Sequence, residues 1–168
     1  MDRKLTHRHR DIVDVLPNLR RFALSLTGNV ADADDLLQST VERLLDRGLP
    51  QDAKVLPWGL RVCRNLWIDE LRSRKVRREA SGDPAVVGTQ VVSGEEQVLG
   101  EMTLEEVQKA LFSMSEEQRS VLELVAVEGY SYKEAAAVLE VPIGTVMSRL
   151  ARARVALLER SGLVAAAG

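Results

Sequence analysis

The sequence predicts an all-α protein: two small helical domains joined by a flexible linker, the C-terminal one containing a helix-turn-helix. Three observations predict it. Aromatic residues make up 4% of the 168-residue chain while hydrophobic residues make up 45%, mostly Leu, Val and Ala, a balance that favours helices packed on helices over a β-sandwich. Apolar residues recur at three-four spacing through most of the chain. A stretch with no such period, holding Gly82, Pro84, Gly88 and Gly94, divides that pattern in two. The expected organisation is a domain over 1–79, a linker over 80–94 and a second domain over 95–168.

The first helix is expected over 12–26, where Ile12, Val15, Leu16, Leu19, Phe22, Ala23 and Leu26 share one face. Pro17 either kinks a helix that begins before it or occupies the tolerated first turn of one that begins near Leu16. The residues before it, His7 and His9 among them, are expected as a frayed terminus. Thr27-Gly28-Asn29 reads as a stop and a new start, and Asp32, Asp34 and Asp35 supply the negative charge that a helix N-terminus favours. That second helix is expected over 30–46, with Leu36, Leu37, Val41, Leu44 and Leu45 inward.

Gly48 and Pro50 end it, and Pro57 lets a third helix begin around Trp58 and run through Leu60, Val62, Leu66, Trp67, Ile68 and Leu71 to Arg78. Gly59 inside this pattern is expected to loosen its first turn. Beyond the linker, Val98, Met102, Leu104, Val107 and Leu111 predict a helix over 95–111. Ser115-Glu116-Glu117-Gln118 and Ser131-Tyr132-Lys133-Glu134 both read as capping boxes that start the next two helices.

The formal net charge is −2, but its distribution is uneven. Counting Lys and Arg against Asp and Glu, residues 1–80 carry 16 against 12, residues 81–130 carry 2 against 10, and residues 131–168 carry 5 against 3. Two basic segments flanking an acidic middle suit two separate surfaces that meet phosphate. The single cysteine, Cys63, excludes an internal disulfide and a cysteine-built zinc site, and a reducing compartment follows. Neither a metal nor a cofactor is expected. No apolar stretch approaches the roughly 18 residues of a membrane span, and the charged N-terminus has no apolar run behind it to make a signal peptide. A cytoplasmic protein without membrane insertion is expected. No nucleophile–base or phosphate-cradling pattern accompanies the two histidines, so no catalytic residue is assigned and the chain is not expected to be an enzyme.

The most specific local pattern lies near the C-terminus. After the Ser131 cap comes a short helix over 132–139, the turn Glu140-Val141-Pro142, and a long helix over 143–159 carrying Arg149, Arg152 and Arg154. Two helices joined by so short a turn, the second basic, make a helix-turn-helix. Ala136 is the small residue needed where the helices cross, and Val146 is the apolar residue ten positions on that closes the angle. If the second helix enters a major groove, Thr145, Ser148 and Arg149 are the candidate base readers, with Lys133 and Arg152 on phosphate. The bland reading is a helical hairpin with a solvated basic face.

The third helix carries a second pattern. Residues 61–78 hold Arg61, Arg64, Arg72, Arg74, Lys75, Arg77 and Arg78 against only Asp69 and Glu70, with Trp58 and Trp67 interleaved. Cations, indoles and an asparagine on one helix suit unpaired DNA, whose bases stack on aromatics while its backbone follows a positive groove. Trp67, among Leu66, Ile68 and Leu71, reads better as core. Trp58, at the helix start, is more open to a strand.

Asp32-Ala33-Asp34-Asp35-Leu36-Leu37-Gln38, the run from Pro57-Trp58-Gly59-Leu60-Arg61 through Asn65 and Asp69 to Arg72, and Gly144-Thr145-Val146-Met147-Ser148-Arg149-Leu150-Ala151-Arg152 together resemble extracytoplasmic-function sigma factors, group IV of the primary-sigma-like family, in that family's order and spacing. The resemblance implies a subunit that binds core RNA polymerase, recognises the minus-thirty-five and minus-ten promoter elements and promotes transcription initiation in a stress or signal response. It implies that Asp32, Asp34, Asp35, Gln38, Glu42 and Arg43 dock on the coiled coil of the polymerase clamp. On those residues alone, a solvated acidic face is the better reading. Trp58, Arg61, Asn65, Asp69 and Arg72, with Arg74 and Lys75, would open and read the minus-ten element as a melted strand, Asn65 lining the pocket for a flipped base. The helix-turn-helix, with Lys133, Thr145, Ser148, Arg149 and Arg152, would read the minus-thirty-five element as duplex, and its neighbouring helices would meet the polymerase flap.

An anti-sigma factor is a further expected partner. The family has glycine where Glu140 stands, because the turn there favours a left-handed backbone; a non-glycine residue costs about 1 kcal/mol. Two rivals are weighed. A sigma-mimicking interaction protein that sequesters an anti-sigma factor without binding DNA could lose its DNA-facing residues, whereas Arg61, Asn65, Arg72, Thr145, Ser148 and Arg149 are all present. A stand-alone repressor or activator leaves the basic-aromatic helix unexplained.

Overall fold

The computed structural model describes residues 3–82, 98–99 and 102–160. The chain divides into two units, residues 1–88 and 89–168. Three helices form the first: α1 (Arg3–Thr27), α2 (Val30–Arg47) and α3 (Val55–Ser81), around the fully buried Leu19, Phe22, Leu26, Leu44 and Leu60.

Helix α1 begins nine residues before the expected start, so His7 and His9 lie inside a helix and not in a frayed end. The early segment has no apolar period, but Arg, Lys and Leu propagate a helix well and nothing in it breaks one. Pro17 sits within α1. Val13, whose carbonyl loses its partner to the proline ring, is 60% exposed, so water can take that bond.

Asn29 caps α2: its side chain accepts from the Asp32 N–H at 2.8 Å and donates to the Asp32 carboxylate at 2.9 Å, satisfying an orphan donor of the first turn. Leu45, expected inward, is exposed, because it lies about 100° around the helix from the fully buried Leu44. Helix α3 starts at Val55, upstream of the expected Trp58. Pro57 is third in the helix, where its missing N–H breaks no intrahelical bond. Gly59 does not serve to loosen that turn. It is buried, and a Cβ on it would stand 3.0 Å from Leu19 Cδ2 and 3.6 Å from Leu44 Cδ1, so its role is the close approach of α3 to α1 and α2. The third helix continues to Ser81, two residues past the expected domain end, and the rest of the expected linker from 83 onward lies outside the described residues.

The second unit departs from expectation at its start. Val98–Leu99 and Met102–Thr103 form a short antiparallel pair, β1 and β2. Helix α4 covers only Leu104–Phe112, so the helix expected over 95–111 is overturned at 98–99 and 102–103, while 95–97 and 100–101 lie outside the described residues. A capping box sets that boundary: Thr103 Oγ1 accepts from the Glu106 N–H at 3.2 Å, and the Thr103 N–H donates to the Glu106 carboxylate at 2.9 Å, which favours extended backbone at residue 103. Helix α5 (Glu116–Leu122) runs into a π-helical turn, Glu123–Val127. Its Ser115 cap makes only the forward bond, to the Gln118 N–H, and is not the full capping box expected. Helix α6 (Tyr132–Leu139) starts with the complete Ser131–Glu134 box, and α7 (Ile143–Arg160) follows. Val121, Leu124, Leu139, Val146 and Leu150 form the core of this unit. Among the described residues no helix is long and apolar enough to cross a membrane.

Candidate nucleic-acid interface

In the first unit, side chains of α2 and α3 bound two clefts. The smaller, about 200 Å³, is lined by Arg43, Arg47, Trp58, Asn65 and Asp69 among others. An indole, an amide, a carboxylate and two guanidiniums therefore meet in one place. The Arg61 guanidinium lies over the Trp58 ring, 5.2 Å from its centroid, a contact that stiffens the ring and leaves Trp58 half-buried. Asn65 is exposed on the same helix, seven residues on from Trp58 and so on the same face. Gly48 also lines this cleft with φ +70° and ψ −171°, a conformation that belongs to glycine alone.

The larger cleft, about 480 Å³, lies along the same two helices and is lined by Asp32, Asp35, Arg43, Asp69, Glu70 and Arg74 among others. Arg74 organises it. Its Nη1 and Nη2 donate to the two Asp32 oxygens at 3.1 and 2.9 Å, its Nε donates to Glu70 at 2.8 Å, and its guanidinium lies 5.2 Å from the centroid of the Trp67 ring. Trp67 is 5% exposed, so it belongs to the core, as its neighbours in sequence predict. The Arg74 guanidinium holds the Asp32 carboxyl below the usual carboxylate range, although partial burial opposes this. Glu70 is held low mainly by Arg74, with a smaller contribution from Arg77. Arg74 itself is held more firmly protonated by Asp32 and Glu70.

The remaining expected residues divide between paired and open positions. Arg72 lies 3.8 Å from Asp69, both largely exposed, a spacing worth little in water. Lys75 is exposed. On α2, Gln38 donates to Glu42 at 3.2 Å, and Asp34 pairs with Arg20 of α1 at 3.2 Å. Asp35 is exposed, and Arg43 reaches both clefts. Asp32 and Arg74, expected to serve different partners, are thus joined to each other, while Trp58, Asn65 and Asp69 are brought together. Arg47 and Gly48 were outside the expected set; the i,i+4 spacing of Arg43 and Arg47 is the signal that finds the arginine.

In the second unit, α6, the turn and α7 form the helix-turn-helix, with Ala136 and Val146 buried at the crossing. Glu140 has φ 56° and ψ 44°, the left-handed backbone expected of that turn. Its N–H and that of Val141 both donate to the Ala136 carbonyl, closing the C-terminus of α6. On α7, Thr145 is half-buried and accepts at its carbonyl from Ser148 Oγ at 3.1 Å. Arg149 is half-buried: its side chain is 18% exposed, and Nη2 lies 3.5 Å from a Glu117 oxygen on α5. Lys133 and Arg152 are exposed. Glu117 was not foreseen, because its partner lies on another helix and no spacing rule links them.

Comparison with known proteins places this geometry. Residues 12–77 match the family model described as Sigma-70 region 2, and residues 104–157 match Sigma-70, region 4. The chain is 36% identical over 146 residues to the ECF RNA polymerase sigma factor EcfG of Rhodopseudomonas palustris, covering 86% of this chain and 79% of that one. It is 33% identical over 141 residues to the ECF RNA polymerase sigma factor SigC of Mycobacterium tuberculosis, covering 82% and 74%. Among solved structures, the sigma factor RpoE in complex with the anti-sigma factor NepR from Bartonella quintana aligns with a TM-score of 0.77 at 30% identity, covering 90% of this chain and 94% of that one. Two helical units carrying both sigma-70 regions define a promoter-recognition subunit of RNA polymerase, and the chain belongs to the extracytoplasmic-function branch of the sigma-70 family.

Proposed function

We propose that this sigma factor divides promoter recognition between its two units. The first holds core polymerase through the exposed side of α2, including Asp34, Asp35, Gln38, Glu42 and Arg43, the last of which lines both clefts and so also adjoins the strand, and takes the melted minus-ten strand on Trp58, Arg61, Asn65, Asp69, Arg72 and Lys75. The second reads duplex at the minus-thirty-five element with Thr145, Ser148 and Arg149, while Lys133 and Arg152 meet phosphate. The observation that carries this reading is the cleft in which Trp58 and Asn65 sit beside Arg43 and Arg47: a stacking surface, an amide with both donor and acceptor, and cations are what a flipped base and its backbone require. Asp32 and Arg74 act in this scheme as the tie between the polymerase-facing and the DNA-facing helix.

Strand opening by trapped bases uses binding energy and makes or breaks no covalent bond, so the protein needs no catalytic residue. Holding both units on one polymerase makes the second DNA contact effectively intramolecular, and neither need be tight alone. Its place of work is the cytoplasm, with the polymerase. An anti-sigma factor is a second partner, a reading supported by the complex of the RpoE relative with NepR.

The test is run-off transcription with purified core polymerase on a genomic promoter library, comparing the natural protein with the double variant Asn65→Ala and Arg149→Ala. Specific transcripts that require the natural protein and fail with the variant are expected. A folded protein that binds a partner but yields no transcripts turns the assignment to a sigma mimic that sequesters an anti-sigma factor.

A further inference from the structure

We infer that Arg8, near the N-terminus of α1, joins Arg43 and Arg47 in a phosphate-binding surface at the rim of the smaller cleft, and that it contacts the backbone of the unpaired strand beside the captured base. The inference rests on the sigma-factor reading above and adds to it a residue outside both sigma-70 regions, since the region 2 match begins at residue 12.

The seat is built by Gly48. Arg8 Nη1 lies 2.8 Å, and its guanidinium carbon 3.5 Å, from where a Cβ on Gly48 would stand. A side chain there would make the Arg8 guanidinium shift from this position. The backbone of Gly48, at φ +70° and ψ −171°, is closed to other residues on conformational grounds as well. Gly48 lines the cleft together with Arg43, Arg47, Trp58 and Asn65, so Arg8 is carried to the cleft's edge from a different helix. It is also what the long N-terminal extension of α1 delivers, since the expected helix start at residue 12 would have left it unplaced.

Charge decides the ligand. Among the described residues, Arg8, Arg43 and Arg47 make no ion pair with any carboxylate. On α3, by contrast, Arg74 is paired with Asp32 and Glu70, Arg77 with Glu70 and Arg72 with Asp69. Asp69 lines the same cleft but pairs with Arg72, and adjoining guanidiniums with no ion-pair partner of their own attract an external anion. An acidic peptide would also supply charge, but an adjoining indole and amide favour a nucleotide, which offers a base as well as a phosphate.

The test measures binding of the full chain to fluorescein-labelled dT12 as salt is raised from low ionic strength, for the natural protein, Arg8→Gln, Arg47→Gln and the control Arg10→Gln. Arg10 carries the same charge on the same helix, turned about 200° from Arg8. Arg8→Gln and Arg47→Gln are each expected to flatten the slope of log K against log salt by about 0.7, one single-strand phosphate contact, and Arg10→Gln to leave it unchanged. Gly48→Ala, which alters no charge but shifts the Arg8 tip, is expected to weaken dT12 binding less than Arg8→Gln does; should it fail to fold, the glutamine variants still decide. Equal slopes for Arg8→Gln, Arg10→Gln and the natural protein overturn the inference, as does a natural protein that directs transcription yet does not bind dT12. Weakened binding of core polymerase by Arg8→Gln with an unchanged DNA slope overturns it in favour of a protein partner. Failure of run-off transcription by the natural protein would instead strike the sigma reading itself.

Discussion

At the scale of single residues, the firmest electrostatic tie is that of Asp32 with Arg74, about a quarter and a third exposed. Because Arg74 depresses the folded-state pKa of Asp32, the carboxylate stabilises the fold at pH above its ordinary value of 3.8. That contribution is lost as pH falls below this value toward the depressed folded one. The Asp32→Asn variant is therefore expected to be less stable than the natural protein at pH 7 and to differ from it progressively less as pH drops below 4. Urea unfolding of the two proteins across pH 2.5–7 measures this, and a constant gap over the whole range would contradict it. Sequence alone showed the acidic cluster and the basic run but not that one member of each is reserved for the other. The partners stand 42 positions apart, beyond any helical spacing rule. The same limit hid Glu117 as the partner of Arg149.

At the scale of elements, legibility followed periodicity. Helices with a clear apolar face, such as α7 and the capped α2 and α6, were readable to within a residue or two, as was the helix-turn-helix with its left-handed turn. The start of α4 was not, because Val98 and Met102 satisfy helical spacing while lying on the two strands of a hairpin, paired with Thr103 and Leu99, and only the Thr103 cap distinguishes the two. Gly59 was misread for a related reason: its cause is contact with Leu19 and Leu44 of other helices. The turn offers a direct prediction. Glu140 holds a left-handed backbone that costs a side chain about 1 kcal/mol, so Glu140→Gly is expected to raise stability by about 0.5–1 kcal/mol. Chemical denaturation would show this as a higher midpoint with an unchanged slope; a lower midpoint would mean that the Glu140 side chain contributes more than the strain removes.

At the scale of the whole molecule, the chain carries a small net negative charge, with its cations concentrated on two separate segments. Counter-ion release therefore acts locally on each unit, and the two become mutually reinforcing when the polymerase holds both. At near-physiological salt, the free chain is expected to leave a promoter fragment unretained in an electrophoretic shift, and core polymerase with the chain to retain it in a defined complex. Tight, sequence-specific retention by the free chain would contradict this division of labour. The two-unit architecture and the location of the two basic helices, α3 and α7, were legible, because each unit has its own apolar period and its own basic segment. How the first unit builds its cleft was not, since α2, the Gly48 that ends it and α3 all contribute.

The left-handed turn has a consequence in the genetic code. Each glutamate codon becomes a glycine codon by a single change at its second base, so the strain at position 140 lies one transition away from release. A lineage pressed for thermal tolerance has that step available without crossing any intermediate, and it leaves Thr145, Ser148 and Arg149 untouched. The turn is a small reserve of evolvable stability placed beside the residues proposed to read DNA, spendable against a costly substitution among them.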